Sequence, residues 1–224
     1  MFIITFTLSI FLSIFFIIRY YLSLFFNKKT IHIAFTGGIA VGKTTIIQKF
    51  SEFLTKKGYK FYISTEIPMR NPKKLEWLYQ DIKKNVFEYQ IYLIIEYIKE
   101  MIHITNKKID IIIYDRTILD TLFFSNENLN IKEFEILNNL IKENLDIKFN
   151  HVIFIKPKIE NMLKWQKKRN RNEESNVSEE YLKKIYNIFD DNINNFYKEY
   201  TNNIVTFNND NNIDLEFLFS TLMF

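Results

Sequence analysis

The sequence predicts an α/β fold in which a five-stranded parallel sheet carries helices on both faces. Strand-like apolar segments alternate with longer helical patterns along the chain. Several of these segments are almost continuously apolar, as strands buried on both faces are. A glycine turn joins the first strand to the first helix, and long crossovers separate the later strands, which is typical of parallel pairing.

The first strand begins at Ile31, and Gly58 ends the first helix as a C-terminal cap. Later strands are stopped by Pro68 and Pro157, and an asparagine-rich loop follows the last one. The other strands are predicted at Lys60–Ser64, Lys108–Tyr114, His151–Ile155 and Ile204–Phe207. The helices are predicted at Lys43–Lys57, Pro72–Lys84, Val86–Thr105, Ile118–Ser125, Ile131–Leu145, Lys158–Asn170, Ser178–Tyr200 and Ile213–Leu222.

Length and composition suit one domain, residues 30–224, that follows a hydrophobic segment, residues 1–29. The net charge of +4 fits an anionic substrate. Because no basic run exceeds a few residues, no nucleic-acid partner is expected. The chain has no cysteine, which excludes disulfides, thiolate metal sites and a cysteine nucleophile.

The segment Phe2–Ile18 is apolar apart from threonine and serine, and its positive residues (Arg19, Lys28 and Lys29) all follow it. This pattern predicts one membrane-spanning anchor, with the following domain on the cytoplasmic side. Two alternatives are a buried helix of the domain and a translated stretch without a role. Without an anchor, the protein is expected in the cytoplasm.

The glycine turn matches the phosphate-binding loop G-x-x-x-x-G-K-[ST]. Backbone N–H groups of such a loop surround phosphate oxygens, and the helix N-terminus adds partial positive charge. Lys43 is expected to reach the β- and γ-phosphates, and the Thr44 hydroxyl to bind Mg²⁺. The loop predicts ATP binding by Gly37, Gly38, Ile39, Ala40, Val41, Gly42, Lys43, Thr44 and Thr45.

Ligands of parallel α/β sheets lie outside the carboxyl ends of the strands. This rule brings together the phosphate-binding loop, Glu66 after the second strand, and Asp115 and Arg116 after the third. They come from three strand ends and are expected to share one cleft.

Four further motifs follow in order: Thr65-Glu66, Tyr79-x-Asp81 with Gln90 nine residues later, Asp115-Arg116-Thr117, and R-N-R-N-E-E-S-x-V-x-x-x-Y-L from Arg169. With the loop, they resemble the deoxynucleoside kinase family, the group of thymidine kinase 2, deoxycytidine kinase and deoxyguanosine kinase. The resemblance covers nearly all of the chain from Ile31 to Leu222. It implies a P-loop fold with a helical lid, which transfers the ATP γ-phosphate to the 5′-hydroxyl of a deoxynucleoside in nucleotide salvage.

The resemblance implies a role for each motif residue. Glu66 is the implied base for the 5′-hydroxyl, Tyr79 with Glu174 holds the 3′-hydroxyl, and Gln90 binds the base. Arg116, Arg169 and Arg171 would stabilise the transferring phosphoryl group, and Asp115 with Thr44 would hold Mg²⁺.

The match has departures. Ile67 separates Glu66 from Pro68, and Asp115 replaces the usual glutamate. Leu93 and Tyr97 are expected to face the base pocket, with no arginine beside them. Since the deoxycytidine kinase type has charged groups there, the resemblance implies a pyrimidine-preferring pocket like that of thymidine kinase 2. A homodimer is implied, with the apolar faces near Leu119–Phe124 and Phe134–Leu145 as its interface.

Two other hypotheses remain. A thymidylate kinase shares the loop, the D-R pair and a lid, but an R-E-P-G-G run is expected where this chain has S-T-E-I-P-M-R. A membrane-tethered nucleotide switch needs N-K-x-D and D-x-x-G, which Asn106-Lys107-Lys108-Ile109 and Asp115-Arg116-Thr117-Ile118 do not supply.

Overall fold

The computed structural model describes residues 30–105, 109–169, 171–174, 177–210 and 215–222. Within these ranges the strands are β1 (Ile31–Thr36), β2 (Phe61–Ser64), β3 (Ile111–Asp115), β4 (His151–Ile155) and β5 (Ile204–Phe207). The α-helices there are α1 (Lys43–Lys56), α2 (Pro72–Gln80), α3 (Ile82–Thr105), α4 (Asp120–Asn128), α5 (Ile131–Asn144), α6 (Ile159–Arg169), α7 (Glu179–Tyr197) and α8 (Leu215–Leu222). Short 3₁₀ helices lie at Ile67–Arg70 and Asn172–Glu174.

The described strands form one parallel sheet in the order β2-β3-β1-β4-β5. The predicted fold class is therefore confirmed. In register, Phe35 of β1 lies beside Asp115 of β3 on one side and beside Ile153 of β4 on the other. Because all strands run in the same direction, the loops after β1, β2 and β3 emerge at one edge of the sheet.

The central strands are buried on both faces, and alternate residues belong to two different cores. Ala34 of β1 and Ile112 of β3 pack with α3, α4, α5 and α7. Ile33 and Phe35 pack on the other face, with α1, α6 and α8. This period of two explains the continuous apolar runs, since no position on a strand with helices on both sides faces water.

The largest difference from the predicted elements is the break between α2 and α3, which was expected at residue 85 and lies at Asp81. There the backbone leaves the helical region (φ −154°, ψ 89°). The Asp81 carboxylate accepts from the Lys84 N–H at 3.2 Å, and the Asp81 carbonyl accepts from the Asn85 N–H at 3.0 Å. Asp81 therefore caps α3, and the apolar periodicity alone does not reveal such a cap. The predicted start of α4 at Ile118 is also early by two residues.

The apolar helical faces that were expected to form a dimer interface are buried within the chain's own core. Leu119, Leu122, Phe123, Leu137 and Ile141 are all at most 3% exposed and belong to one core. The large apolar side chains exposed on helices of the described chain are Ile95 and Ile102 on α3 and Ile131 and Ile136 on α5, and of these only Ile136 falls within a predicted interface segment.

Among the described residues, no helix combines the length and the apolar character that a membrane span requires. The predicted membrane anchor, residues 1–29, lies outside them.

Candidate active site

The phosphate-binding loop leaves β1 through Gly37 and enters α1 through Gly42, and both glycines have positive φ (139° and 91°). A Cβ at Gly37 would lie 2.6 Å from the Ile155 carbonyl oxygen, and one at Gly42 would collide with the Asn209 side chain. A side chain at either position is thus strained and obstructed. The sequence motif and the geometry agree on these two glycines.

Lys43 is the first residue of α1, and its ammonium points back into the loop. Nζ donates to the carbonyl oxygens of Gly38 at 2.8 Å and Gly37 at 3.1 Å. Burial, with the nearby Arg116 charge, lowers the pKa of Lys43 to about 7. An anion bound in the loop would therefore favour the protonated, charged form of Lys43.

Thr44 and Asp115 form a pair between the start of α1 and the end of β3. The Thr44 hydroxyl donates to Asp115 Oδ2 at 3.1 Å, and Oδ1 is buried without a hydrogen-bond partner among the described residues. Burial, together with the Glu66 charge, raises the pKa of Asp115. A hydroxyl and a buried carboxylate with an open lone pair suit Mg²⁺, which takes a few protein oxygens and completes its shell with phosphate and water. Described residues offer no cluster of three or more metal-binding His, Cys, Asp or Glu side chains.

Arg116 links Glu66 to the phosphate-binding loop. Its Nε donates to Glu66 Oε1 at 3.0 Å, and its two terminal nitrogens donate to the carbonyls of Gly37 (2.8 Å) and Gly38 (3.1 Å). The residue itself has a left-handed backbone (φ 71°). Such strain persists where the surroundings determine the conformation, and it is frequent in active sites.

Behind Arg116 lies a buried polar network that no sequence motif predicts. Asp120 Oδ2 is 3.3 Å from Arg116 Nη1, and Asp120 Oδ1 accepts from the hydroxyls of Thr36 (2.8 Å) and Tyr197 (2.6 Å). The Tyr197 hydroxyl also lies 2.7 Å from the Thr117 hydroxyl. The network therefore holds the guanidinium at Nη1, whereas Glu66 holds it at Nε.

The lid segment lies between α6 and α7, and its described residues reach the same site. Arg169 forms an ion pair with Glu174, while Arg171 Nη1 is 3.6 Å from both Glu66 Oε2 and Glu174 Oε1. The short helix at Glu174 packs on α2, which carries Tyr79. Asn170 and Ser175 of the predicted lid motif lie outside the described residues.

Helix α3 forms the inner wall of the site. Gln90 is 2% exposed, and its Oε1 has no hydrogen-bond partner in the described chain. The same is true of the Tyr89 hydroxyl next to it. Leu93 and Tyr97 continue this wall one and two turns further along. An unpaired buried amide oxygen facing a cavity is ready to bind a ligand.

These residues surround one cavity of about 440 Å³. Most predicted site residues line it: Ile39, Ala40, Val41, Gly42, Lys43, Thr44, Thr45, Glu66, Tyr79, Gln90, Arg116, Arg169, Arg171 and Glu174. Gly37, Gly38 and Asp115 do not line the cavity, and they bond to residues that do. Trp165 and Asn209 line it as well, although no motif singles them out.

A family model described as deoxynucleoside kinase matches residues 33–220 of this chain. The chain belongs to the deoxynucleoside kinase family. The family match spans the loop, Glu66, the Arg116 segment and the lid, so the predicted resemblance is confirmed. The protein is an ATP-dependent deoxynucleoside kinase.

Two kinds of relatives agree with this family. A protein named as a kinase from Invertebrate iridescent virus 6 is 28% identical over 160 residues, which cover 69% of this chain and 78% of the viral one. A structure of deoxyadenosine kinase from M. mycoides with the products dCMP and a flexible dCDP is 26% identical. Its TM-score is 0.66, and the match covers 86% of this chain and 97% of that one. The same enzyme with bound dATP matches at a TM-score of 0.69 and 23% identity, covering 87% of this kinase and 100% of that chain.

Proposed function

We propose that this kinase phosphorylates the 5′-hydroxyl of a pyrimidine deoxynucleoside, and that it serves nucleotide salvage. The observation that carries the proposal is the placement of the unpaired Gln90 amide oxygen in the same cavity as Glu66 and the phosphate-binding loop. An amide presents a donor and an acceptor side by side, which suits the edge of a nucleobase. The aromatic rings of Tyr89, Tyr97 and Phe124 line the same cavity, and bulky rings in a base pocket favour the smaller pyrimidine ring.

Glu66 is the proposed general base. Burial alone would raise its pKa, but the charges of Arg116 and Lys43 outweigh burial and hold the pKa of Glu66 well below its usual value. The carboxylate is therefore ionised at neutral pH and can accept a hydrogen bond from the 5′-hydroxyl. Arg116 would orient Glu66 and, with Arg169 and Arg171, neutralise charge on the transferring phosphoryl group.

The sugar is proposed to lie between α2 and the lid. Burial, with Tyr181 and Glu174 nearby, raises the pKa of Tyr79 far above its usual value, so its hydroxyl keeps its proton. A phenol that donates and a carboxylate that accepts can together hold one 3′-hydroxyl. A 2′,3′-dideoxynucleoside lacks this group and is expected to bind at least about tenfold more weakly, because two buried polar groups would lose their partner.

Mg²⁺ is the proposed metal, carried in with ATP. Thr44 and Asp115 would hold it, and it would neutralise charge on the β- and γ-phosphate oxygens. Asp115→Asn keeps the size of the side chain and removes its charge. The variant is expected to need more Mg²⁺ for half-maximal rate, whereas the Michaelis constant for the nucleoside stays unchanged.

The deciding experiment incubates the full chain with Mg-ATP and, in turn, thymidine, deoxycytidine, deoxyadenosine, deoxyguanosine and dTMP. Higher kcat/KM for a pyrimidine nucleoside supports the proposal. Preference for deoxyadenosine would place this kinase with the M. mycoides enzyme and overturn the pyrimidine assignment. Product from dTMP alone would indicate a thymidylate kinase and remove the roles of Tyr79 and Gln90.

The homodimer and the membrane anchor are part of the proposal. Exposed Ile95 and Ile102 on α3 offer apolar surface for a second copy, and light scattering of the full chain tests whether its mass is twice 27.2 kDa.

Flotation with lipid vesicles, compared between the full chain and a chain without residues 1–29, tests the anchor and the division into residues 1–29 and 30–224. Equal flotation of both would exclude an anchor.

A further inference from the structure

Trp165 is a cavity-lining residue that belongs to none of the sequence motifs. It is on α6, half-buried, and its ring lines the cavity beside the phosphate-binding loop. Its Cζ3 atom would be 3.9 Å from a Cβ placed on Gly42. The motifs and proposed roles described so far leave this indole without a function.

The residues that line the cavity come from helices on both faces of the sheet. Leu93 and Tyr97 of α3 belong to the core on one face, whereas Met162, three residues before Trp165 on α6, belongs to the core on the other. A triphosphate in the loop places its γ-phosphate near Lys43, at the Glu66–Arg116 side. The rest of the nucleotide then extends away from Glu66 and Arg116, to the side of Gly42 on which Trp165 lies.

The wall around Trp165 is held in place by hydrogen bonds. The Asn209 side chain donates to the Val41 carbonyl at 3.1 Å and so joins the loop after β5 to the phosphate-binding loop. Asp210 Oδ1 accepts from the Asn161 side chain and from the Lys158 N–H, each at 2.7 Å. Asn161 is one helical turn before Trp165, so these bonds fix the part of α6 that carries the indole.

We propose that the Trp165 indole is the stacking platform for the base of the donor nucleotide, with Asn209 beside it. An indole offers the largest aromatic face among side chains, and every nucleobase has a π-face to stack on it. A purine overlaps the indole more than a pyrimidine does, so ATP and GTP are favoured over CTP and UTP. Arg169, four residues later on the same helix, reaches the lid, so α6 contacts both ends of the donor.

The proposal rests on the proposed function only in taking a nucleoside triphosphate as donor, and its test needs no acceptor. The chain has two tryptophans, and Trp77→Phe leaves Trp165 as the single tryptophan, whose fluorescence can be excited selectively over that of the tyrosines. Trp77 packs in the core on the α3 side. In this variant of the full chain, Mg-ATP is expected to quench fluorescence along a saturating curve, and magnesium tripolyphosphate, which has no base, is expected to leave it unchanged. Equal quenching by both, or none by ATP, would overturn the proposal.

Steady-state kinetics provide the second test. Trp165→Ala is expected to raise the Michaelis constant for ATP about tenfold, which equals about 1.4 kcal/mol, and to leave that for the nucleoside unchanged. Trp165→Phe keeps an aromatic face and should restore most of the ATP affinity. If both variants raise the two Michaelis constants alike, Trp165 is a packing residue and the assignment is wrong. Failure of every nucleoside to react, with ATP quenching intact, would refute the proposed acceptor and leave the donor site standing.

Discussion

The Arg116 guanidinium lies 3.0 Å from the Glu66 carboxylate and at the same time 2.8 Å from the Gly37 carbonyl oxygen. One side chain therefore sets the distance between the proposed base and the phosphate-binding loop. Because Arg116 is 4% exposed and has a left-handed backbone, its position is determined by the fold. In the proposed mechanism, the angle at which a nucleoside hydroxyl meets the γ-phosphate depends on this link.

Glu66→Gln is expected to lower kcat by about a hundredfold or more, because the amide cannot take the proton of the 5′-hydroxyl. Glutamine keeps the size of the side chain and can still accept from Arg116, so the fold and the affinity for ATP should persist. Single-turnover rates and ATP titration measure the two effects separately. Near-normal turnover would remove Glu66 from the role of base.

Gly37→Ala is expected to weaken ATP binding at least about tenfold, since the new Cβ meets the Ile155 carbonyl at 2.6 Å and the backbone has φ 139°. Gly38→Ala is the matched control. There the Cβ finds Val41 Cγ1 at 3.6 Å, an ordinary contact, and the backbone has no positive φ. Calorimetric titration with ATP should separate the variants, and an equal loss in both would contradict the steric account.

Binding of Mg-ATP is expected to take up a proton at Lys43. Burial, with Arg116 nearby, lowers the pKa of Lys43 to about 7 in the nucleotide-free protein, and bound phosphates raise it. Affinity should therefore fall as the pH rises from about 7.5 to 9, by at most about tenfold per pH unit. Calorimetry in buffers of different ionisation enthalpy measures the proton directly. Lys43→Met should bind more weakly and without uptake, and uptake that persists in this variant would assign the proton elsewhere.

Tyr197→Phe is expected to destabilise the fold by about 1 to 3 kcal/mol, because buried Asp120 loses a hydrogen bond of 2.6 Å. For a chain of this size, that lowers the melting temperature by about 2 to 4 °C for each kcal/mol. Tyr200→Phe is the control, since Tyr200 is also buried but lies outside the network around Asp120. Similar melting temperatures for both variants would show that the network contributes little.

Tyr197→Phe should also reduce kcat more than the Michaelis constants change, since Arg116 would lose part of its support. Tyr200→Phe should leave kcat unchanged. An unaltered kcat in Tyr197→Phe would mean that Glu66 and the loop carbonyls suffice to position the guanidinium.

The sequence was most informative where a property is local. The loop from Gly37 to Thr45 could be predicted because backbone amides that surround a phosphate need a fixed order of glycines, Lys43 and Thr44. The strands could be predicted because burial on both faces leaves almost only apolar residues in them. The proximity of Glu66 and Arg116 could be predicted because the carboxyl ends of parallel strands lie at the same edge of the sheet.

Only the tertiary structure shows which residues that are distant in sequence contact each other. Asp120 bonds to Thr36, 84 positions earlier, and to Tyr197, 77 positions later, and neither spacing leaves a periodic trace in the sequence. Trp165 reaches Gly42 only because α6 packs beside the loop. The apolar helical faces at Leu119 and Leu137 were predicted to form a dimer interface. An apolar stripe on a helix indicates that this face is buried, but it does not indicate whether the same chain or a second copy buries it. Local motifs can be read from the order of residues because their members are close in sequence. Contacts between side chains that are remote in sequence form only when the chain folds.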